Sequence, residues 1–180
     1  VDAGAHHVGL PTWRGYSGAT WLEGLILAES GGDPRVVRYE RHQDREADGD
    51  APGVDDGPRE DDKSYGLMQI MGSNLRPMVG VAPEVPMDFS WALRPMANLA
   101  FGLRFLKGLL DQANFNVANR AAEGGLAGQH SIFVLEGPVD LALARYNGGL
   151  RGNGAADWPN LRNNSYVERV AKHAEVARNR

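Results

Sequence analysis

One carboxyl group in this chain stands among residues whose neighbours are apolar. Glu29 lies near the end of the stretch T-W-L-E-G-L-I-L-A-E-S-G-G-D-P, residues 20–34, with Leu22, Leu25 and Ile26 seven, four and three residues before it. Those spacings bring side chains to one face of a helix, so Glu29 shares the apolar stripe. Partial desolvation disfavours its anion, and the negative end of the helix dipole adds to that penalty. Both effects raise the pKa. A carboxyl that keeps its proton near neutrality can donate it to a leaving oxygen, the task of a general acid in glycoside cleavage. The ordinary alternative is a Glu that reaches solvent from the helix end.

A second polar group sits inside an apolar run. Gln69 lies within Ser64-Tyr65-Gly66-Leu67-Met68-Gln69-Ile70-Met71, which reads as a buried strand or helix start with the amide hydrogen-bonded to neighbouring backbone. Between the two lies an acidic stretch. Residues 38–63 hold ten acids and five bases, a charge of -5 in a chain whose total is -4, so the remainder carries +1. Gly49, Pro52, Gly53, Gly57 and Pro58 interrupt this stretch, which predicts a long solvated loop between ordered elements. Within it, Asp44-x-Glu46-x-Asp48-Gly49 with Asp55 at the twelfth position approximates a calcium loop of alternating oxygen ligands. Pro52 and the lack of amphipathic flanking helices favour a plain acidic surface loop. His6, His7, His42, His130 and His173 form no spaced metal set. No metal or other cofactor is required by the residues singled out. Trp13, Trp21, Trp91 and Trp158 have faces that sugars can stack on, but packing is the commoner use of tryptophan, and Met78, Met87 and Met96 read as core gap fillers.

The elements that must position Glu29 and Gln69 follow from periodicity. Thr20 and Glu23 have the form of a capping box, which sets the first helix start near Thr20, while Gly31, Gly32 and Pro34 stop it. Residues 72–94, with several prolines, predict a loop. From Pro95 to about Gln112, Leu99, Leu103, Leu106 and Leu110 recur at helical spacing, with Phe101 and Phe105 widening the face. Residues 114–129 predict a weak helix or an irregular excursion. A buried helix is expected from Pro138 through Ala144 to Asn147, and a last one from Asn164 or Ser165 with Tyr166, Val170, Ala174 and Ala177 on one face. Several helices with at most short strands predict a mainly α domain. There is no internal repeat.

Length and composition bound the function. At 180 residues with 42% apolar and 23% charged residues, the chain suits one soluble domain spanning residues 1–180. With no cysteine there is no disulfide framework and no thiolate nucleophile. The net charge argues against nucleic acid as the main ligand. No apolar run is long enough to span a bilayer, and residues 1–20 lack the basic start and apolar block of a signal peptide. The chain begins with Val1, so a processed product or part of a longer protein is the expectation.

Four separated pieces together carry a family resemblance. Glu29-Ser30 at a helix end, Gly66-Leu67-Met68-Gln69-Ile70-Met71, Ala144-Arg145-Tyr146-Asn147-Gly148-Gly149 and Tyr166-Val167-Glu168-Arg169-Val170 occur in the order seen in lytic transglycosylases of the soluble type. The chain resembles that family from about Thr20 to Ala174, and Asn98-x-x-x-Gly102-x-x-Phe105-Leu106 resembles the helix that backs its active site. The resemblance implies a lysozyme-like fold of the α+β superfamily, mainly α with little or no β-sheet, in which a helical lobe surrounds a glycan-binding cleft. The implied partner is the glycan strand of peptidoglycan, bound by a monomer in the periplasm or extracellular wall, or by a phage virion or lysis protein.

Position by position, Glu29 matches the family's single catalytic acid, and Gln69, Met71 and Tyr146 match residues lining the cleft around the cleaved bond. Asn147 and Tyr166 match as further substrate contacts. Tyr65 before Gly66 resembles the bulky aromatic of goose-type lysozymes and is expected as a further substrate contact. The acidic insertion separates Glu29 from the Gly66 motif by more than the family's usual interval, and the small polar residue that often touches the acid has no clear counterpart. Two other readings share this fold. One is goose-type hydrolysis, which places a second acid where this chain has Met71 and would draw on Asp61 or Asp62. The other is a glycan-binding module without turnover.

Overall fold

The structure, a computed structural model, describes residues 9–39, 60–82, 85–122, 137–148 and 161–180, with the side chains at 116–122, 148 and 161–164 left aside. Five helices are described: α1 (Gly18–Ser30), α2 (Gly72–Met78), α3 (Pro95–Ala122), α4 (Pro138–Gly148) and α5 (Leu161–Arg178). The strands β1 (Val37–Tyr39), β2 (Lys63–Tyr65) and β3 (Ile70–Met71) form one antiparallel sheet in that order. The fold is therefore mainly α with a small sheet, as expected. The chain clusters into two compact units, Val1–Leu25 with Arg104–Arg180, and Ile26–Leu103.

In the first unit, Ser17 caps α1: its hydroxyl accepts the Thr20 backbone N–H at 3.2 Å and lies 2.8 Å from the Thr20 hydroxyl. The helix thus begins at Gly18, a turn earlier than the Thr20–Glu23 pattern predicts, with Thr20 in the third helical position of a box closed by Ser17. Trp13, Trp21, Leu22 and Leu25 are buried, together with Leu106, Leu109 and Leu110 of α3, Leu141 to Ala144 of α4, and Val167, Val170 and Ala174 of α5. Helices α4 and α5 pack on each other. Gly24 is where α1 meets α5 backbone: a Cβ there would stand 2.6 Å from the Ala174 nitrogen and 2.8 Å from the Val170 oxygen. Helix α5 starts at Leu161, earlier than the expected Asn164, and α3 runs through Ala122, beyond the apolar periodicity that ends near Gln112. The expected packing role holds for Trp13 and Trp21; Trp158 lies outside the described residues.

In the second unit, β2 and β3 make a hairpin whose loop is Gly66–Gln69. Strand β1 pairs with β2 from Val37↔Tyr65 to Tyr39↔Lys63. The acidic insertion therefore leaves and returns at adjacent strand ends. Its calcium-like portion, Asp44 to Asp55, lies outside the described residues, and no cluster of three or more metal-ligating side chains occurs among those described. The loop expected at 72–94 contains α2 and a 3-10 turn at Ser90–Leu93. Arg76 of α2, buried, donates from Nε and Nη2 to the Asp61 carboxylate (2.7 Å at the shortest) and from Nη1 to the carbonyls of Ala82 and Val85. This fork fastens the 3-10 turn Glu60–Asp62 to the chain after α2. Ile26, Tyr65, Met68, Ile70, Leu75, Phe89, Ala92 and Leu103 form the core. Met96, expected to fill a core gap, is instead 78% exposed.

Candidate active site

Glu29 and Ser30 close α1 and are 7% and 8% exposed. Leu22, Leu25 and Ile26 on the same stripe are 1%, 0% and 7% exposed, so the sequence periodicity located a carboxyl group on the buried side of its helix. The helix ends as the glycines predict. Gly31 and Gly32 take φ of +66° and +88°, conformations that cost glycine little. The Gly31 N–H returns to the Leu27 carbonyl at 3.1 Å, the Ser30 hydroxyl donates to the Ile26 carbonyl, and the same hydroxyl accepts the Gly32 N–H. The final turn that carries Glu29 is thereby fixed from both sides.

The hairpin presents the second group of expected residues. Gln69 is 7% exposed and its φ is +46°, a left-handed backbone that is uncommon outside glycine and asparagine. Its amide nitrogen donates to the Val36 carbonyl at 2.9 Å and to the Gly66 carbonyl at 2.8 Å, and its amide oxygen accepts the Ser64 hydroxyl at 2.9 Å. The backbone bonding expected of a buried Gln is what the side chain does. Because Val36 follows α1 by six residues, Gln69 ties the loop of the hairpin to the chain leaving Glu29. Met71, half-buried, follows on β3 and forms the N-cap of α2.

Tyr65 is 3% exposed, with its ring 5.6 Å from that of Phe89. Its hydroxyl donates to Glu60 Oε2, 2.6 Å away, and also lies 2.9 Å from the Glu60 carbonyl. Burial first, and then the Glu60 carboxylate, push the phenol well above its usual pKa. The Lys63 ammonium and then the Tyr65 hydroxyl pull the Glu60 carboxyl below its usual value. These contacts give Tyr65 a supporting place under the hairpin.

Asn98, quoted in the sequence for its place in a motif but given no role, is the side chain that holds the Gly66–Gln69 loop. It is 0% exposed. Its oxygen accepts the Met68 N–H at 2.7 Å, and its nitrogen donates to the carbonyls of Tyr65 at 2.7 Å and Ala92 at 3.0 Å. Gly66 is required beside it, since φ is +73° and a Cβ would lie 2.5 Å from the Asn98 nitrogen. Gly102, one turn further along α3, leaves room for Met68, whose sulfur would stand 2.3 Å from an added Cβ. The signal available in the sequence was a lone amide four residues before Gly102 on an apolar helix.

The remaining expected residues lie in the first unit. Tyr146, half-buried on α4, has its ring 5.6 Å from that of Phe105; Asn147 beside it is exposed. Tyr166 is 3% exposed on the face it shares with Val170 and Ala174, and the Arg169 guanidinium lies 5.1 Å from its ring centre. Asp61, one of the two acids that a hydrolytic reading draws on, is held by Arg76, and Asp62 is 4% exposed.

Neither a curated protein nor a solved structure matches this chain. Residues 12–157, most of its length, match the family described as the transglycosylase SLT domain, a stretch that takes in Glu29, the Gly66 hairpin, Asn98 and Tyr146. With its helical fold, its buried acid at a helix end and its Gly-Leu-Met-Gln loop, the chain belongs to the transglycosylase SLT domain family, the lytic transglycosylases of the lysozyme-like superfamily that act on peptidoglycan.

Proposed function

We propose that this protein cleaves the β-1,4 bond between N-acetylmuramic acid and N-acetylglucosamine in peptidoglycan and leaves a 1,6-anhydromuramic end, with Glu29 acting first as acid and then as base. The observation that carries the reading is the burial of a single carboxyl group in the last turn of α1. Its proton goes to the oxygen that joins the two sugars as the bond from that oxygen to the anomeric carbon breaks. The 2-acetamido carbonyl of the substrate stabilises the positive anomeric carbon. The muramic 6-hydroxyl then closes onto that carbon and returns its proton to Glu29. No water is consumed, and proximity within one sugar replaces a second protein nucleophile.

Glu29 is the catalytic residue of this scheme. Gln69 and Asn98 serve as positioning residues, since their amides are engaged with protein groups, whereas Met71, Tyr146 and Asn147 are assigned to the glycan. Tyr65 and Tyr166, both buried, support the elements that carry those contacts. No cofactor enters the scheme. The substrate puts the site of action in the periplasm or the extracellular wall, or in a phage virion or lysis protein. No helix among the described residues is long and apolar enough to cross a membrane.

Hydrolysis of the same bond needs a carboxylate to activate water. Asp61 is engaged by Arg76, which counts against it in that role. Mass spectrometry of fragments released from purified peptidoglycan tests the proposal: anhydro ends, lighter by one water than reducing ends, are expected. Reducing ends alone would overturn it. Glu29→Gln keeps the shape and removes the acid, so fragment release is expected to fall by at least about 10²-fold, and equal release by the variant would remove Glu29 from the mechanism.

A further inference from the structure

Three tryptophans fall among the described residues, and one of them is not used up by the fold. Trp13 and Trp21 are 5% and 0% exposed, and their indole N–H groups donate to the Asp140 carboxylate at 2.7 Å and to the Pro11 carbonyl at 2.9 Å. Trp91 is half-buried, and its indole N–H meets no acceptor among the described residues. No buried side-chain nitrogen or oxygen among them lacks a partner, so the Trp91 nitrogen is open to solvent. A buried indole finds a partner for its N–H, whereas a ring with one apolar side and one wet edge suits a binding surface.

The 3-10 turn that carries Trp91 is braced at both ends. Asp88 accepts the Ser90 backbone N–H at 2.8 Å and the Ser90 hydroxyl at 2.7 Å. The Ala92 N–H returns to the Phe89 carbonyl at 2.8 Å, and the Arg94 N–H to the Trp91 carbonyl at 3.1 Å. Asn98 then joins this turn to the Gly66–Gln69 loop, since its one amide nitrogen donates to the carbonyls of both Ala92 and Tyr65. The approach is so close that a Cβ on Gly66 would stand 2.8 Å from the Ala92 oxygen. Trp91 is therefore one residue away from a direct contact with the Gly-Leu-Met-Gln loop, within the unit that also carries Glu29.

The indole is held in place without a ring stacked flat upon it. Phe101 and Phe89 have their centroids 5.0 and 6.4 Å from it and are tilted at 60° and 51°. Trp13, in contrast, carries the Arg14 guanidinium 5.1 Å from its ring centre and has Trp21 edge-on at 6.2 Å. A rigid amphipathic ring with two torsions loses little freedom when a ligand settles on it, and a braced turn lowers that cost further. Its face suits the C–H face of a pyranose, and its N–H suits a sugar oxygen. We propose that Trp91 is a glycan-binding residue: one sugar ring of the strand lies on its indole, and an oxygen of that sugar accepts its N–H. The proposal rests on the substrate reading given above and extends the contacts assigned to the glycan from Met71 to the turn before α3.

Two-dimensional spectra of the ¹⁵N-labelled full chain, which has four indole N–H groups, test it with tri-N-acetylglucosamine as the probe. Trp91→Phe identifies the Trp91 indole signal by its loss. In the parent that signal is expected to shift saturably as sugar is added, while those of Trp13 and Trp21, tied to protein acceptors, stay in place. Trp91→Phe keeps an aromatic face against Phe101 and is expected to weaken sugar binding about threefold, and Trp91→Ala about tenfold, as read from the backbone amides that shift. A Trp91 that only packs would lower the urea midpoint of the alanine variant and leave its own indole signal unmoved by sugar. An unmoved signal, or equal affinity in the parent and both variants, would overturn the proposal. Sugar-induced shifts at Met71 without one at Trp91 would overturn it and spare the substrate reading, whereas no shift anywhere together with no fragments released from peptidoglycan would overturn both.

Discussion

Asn98 offers the sharpest test of how the Gly-Leu-Met-Gln loop is held. Replacement by alanine withdraws the partner from the Met68 N–H and from the carbonyls of Tyr65 and Ala92, in a site with no exposure to water. A buried donor or acceptor left without a partner costs about 1–3 kcal/mol, with carbonyls at the low end because a second lone pair can find other contacts. The three together come to roughly 3–5 kcal/mol, a large share of the ~5–15 kcal/mol by which a domain is stable. With a urea m-value of about 2 kcal/mol/M, the midpoint should fall by about 1.5–2.5 M at unchanged slope. Asn98→Asp separates the donor from the acceptor. It keeps the oxygen that receives Met68 N–H but turns a second oxygen toward two carbonyls, so the anion is disfavoured and the folded pKa rises above the ~3.9 of an unfolded Asp. The folded state then binds more protons than the unfolded state in that window, and stability falls as pH rises through it. The aspartate variant should therefore be closest to the parent near pH 4 and weakest near pH 7. A midpoint loss under about 0.5 M for the alanine variant, or an aspartate variant equally stable at both pH values relative to the parent, would refute this account of the loop.

Two further substitutions test the packing of each unit. Gly24→Ala gains about 1 kcal/mol of helix propensity but sets a Cβ within 2.6 Å of α5 backbone. Overpacking of about 1–3 kcal/mol should win and lower Tm by several degrees in a thermal scan; an unchanged or raised Tm would contradict the contact between α1 and α5. Arg76→Met leaves the quarter-exposed Asp61 without its fork and should cost about 2–3 kcal/mol in urea unfolding. Adding Asp61→Asn should restore part of that loss, with a coupling above about 1 kcal/mol in the double-mutant cycle, and additive losses would show that the two residues act independently.

The four longer helices were legible because each shows apolar residues at helical spacing over at least two turns. What escaped did so for identifiable reasons. The Thr20–Glu23 pattern drew the start of α1 inward because Gly18 and Ala19 add no periodic signal, yet the hydroxyl that caps the helix belongs to Ser17. Helix α2 has seven residues and contains Pro77, too short for a period to show. Beyond Gln112 the apolar residues of α3 are mostly alanines set among asparagines, so the apolar stripe weakens before the helix ends. The burial of Glu29 was legible because its neighbours in sequence are also its neighbours on the helix. The role of Asn98 was hidden because its partners Tyr65 and Met68 lie 33 and 30 residues away. For the same reason Tyr65 reads in sequence as an aromatic available to substrate, while the fold turns its hydroxyl to Glu60.

The acidic insertion shows why sequence distance is a poor guide to this site. Glu29 and Gly66 are separated by the whole of it, yet Tyr39↔Lys63 and Val37↔Tyr65 register β1 against β2, so both ends of the insertion are closed by the sheet. The entropic cost of lengthening a closed loop grows only with the logarithm of its length, about 0.6 kcal/mol per doubling. That cost is offset at the loop base by the Arg76–Asp61 fork and by Glu60, which accepts from both Lys63 and Tyr65. Beyond the sheet, the Gly66 N–H donates to the Val36 carbonyl at 2.8 Å, and the Gln69 amide donates to that same oxygen. The chain leaving Glu29 and the Gly-Leu-Met-Gln loop therefore meet at one carbonyl, whatever the number of residues inserted between them. An insertion at this point can vary in length and charge while the backbone links between the acid's helix and the loop stay the same.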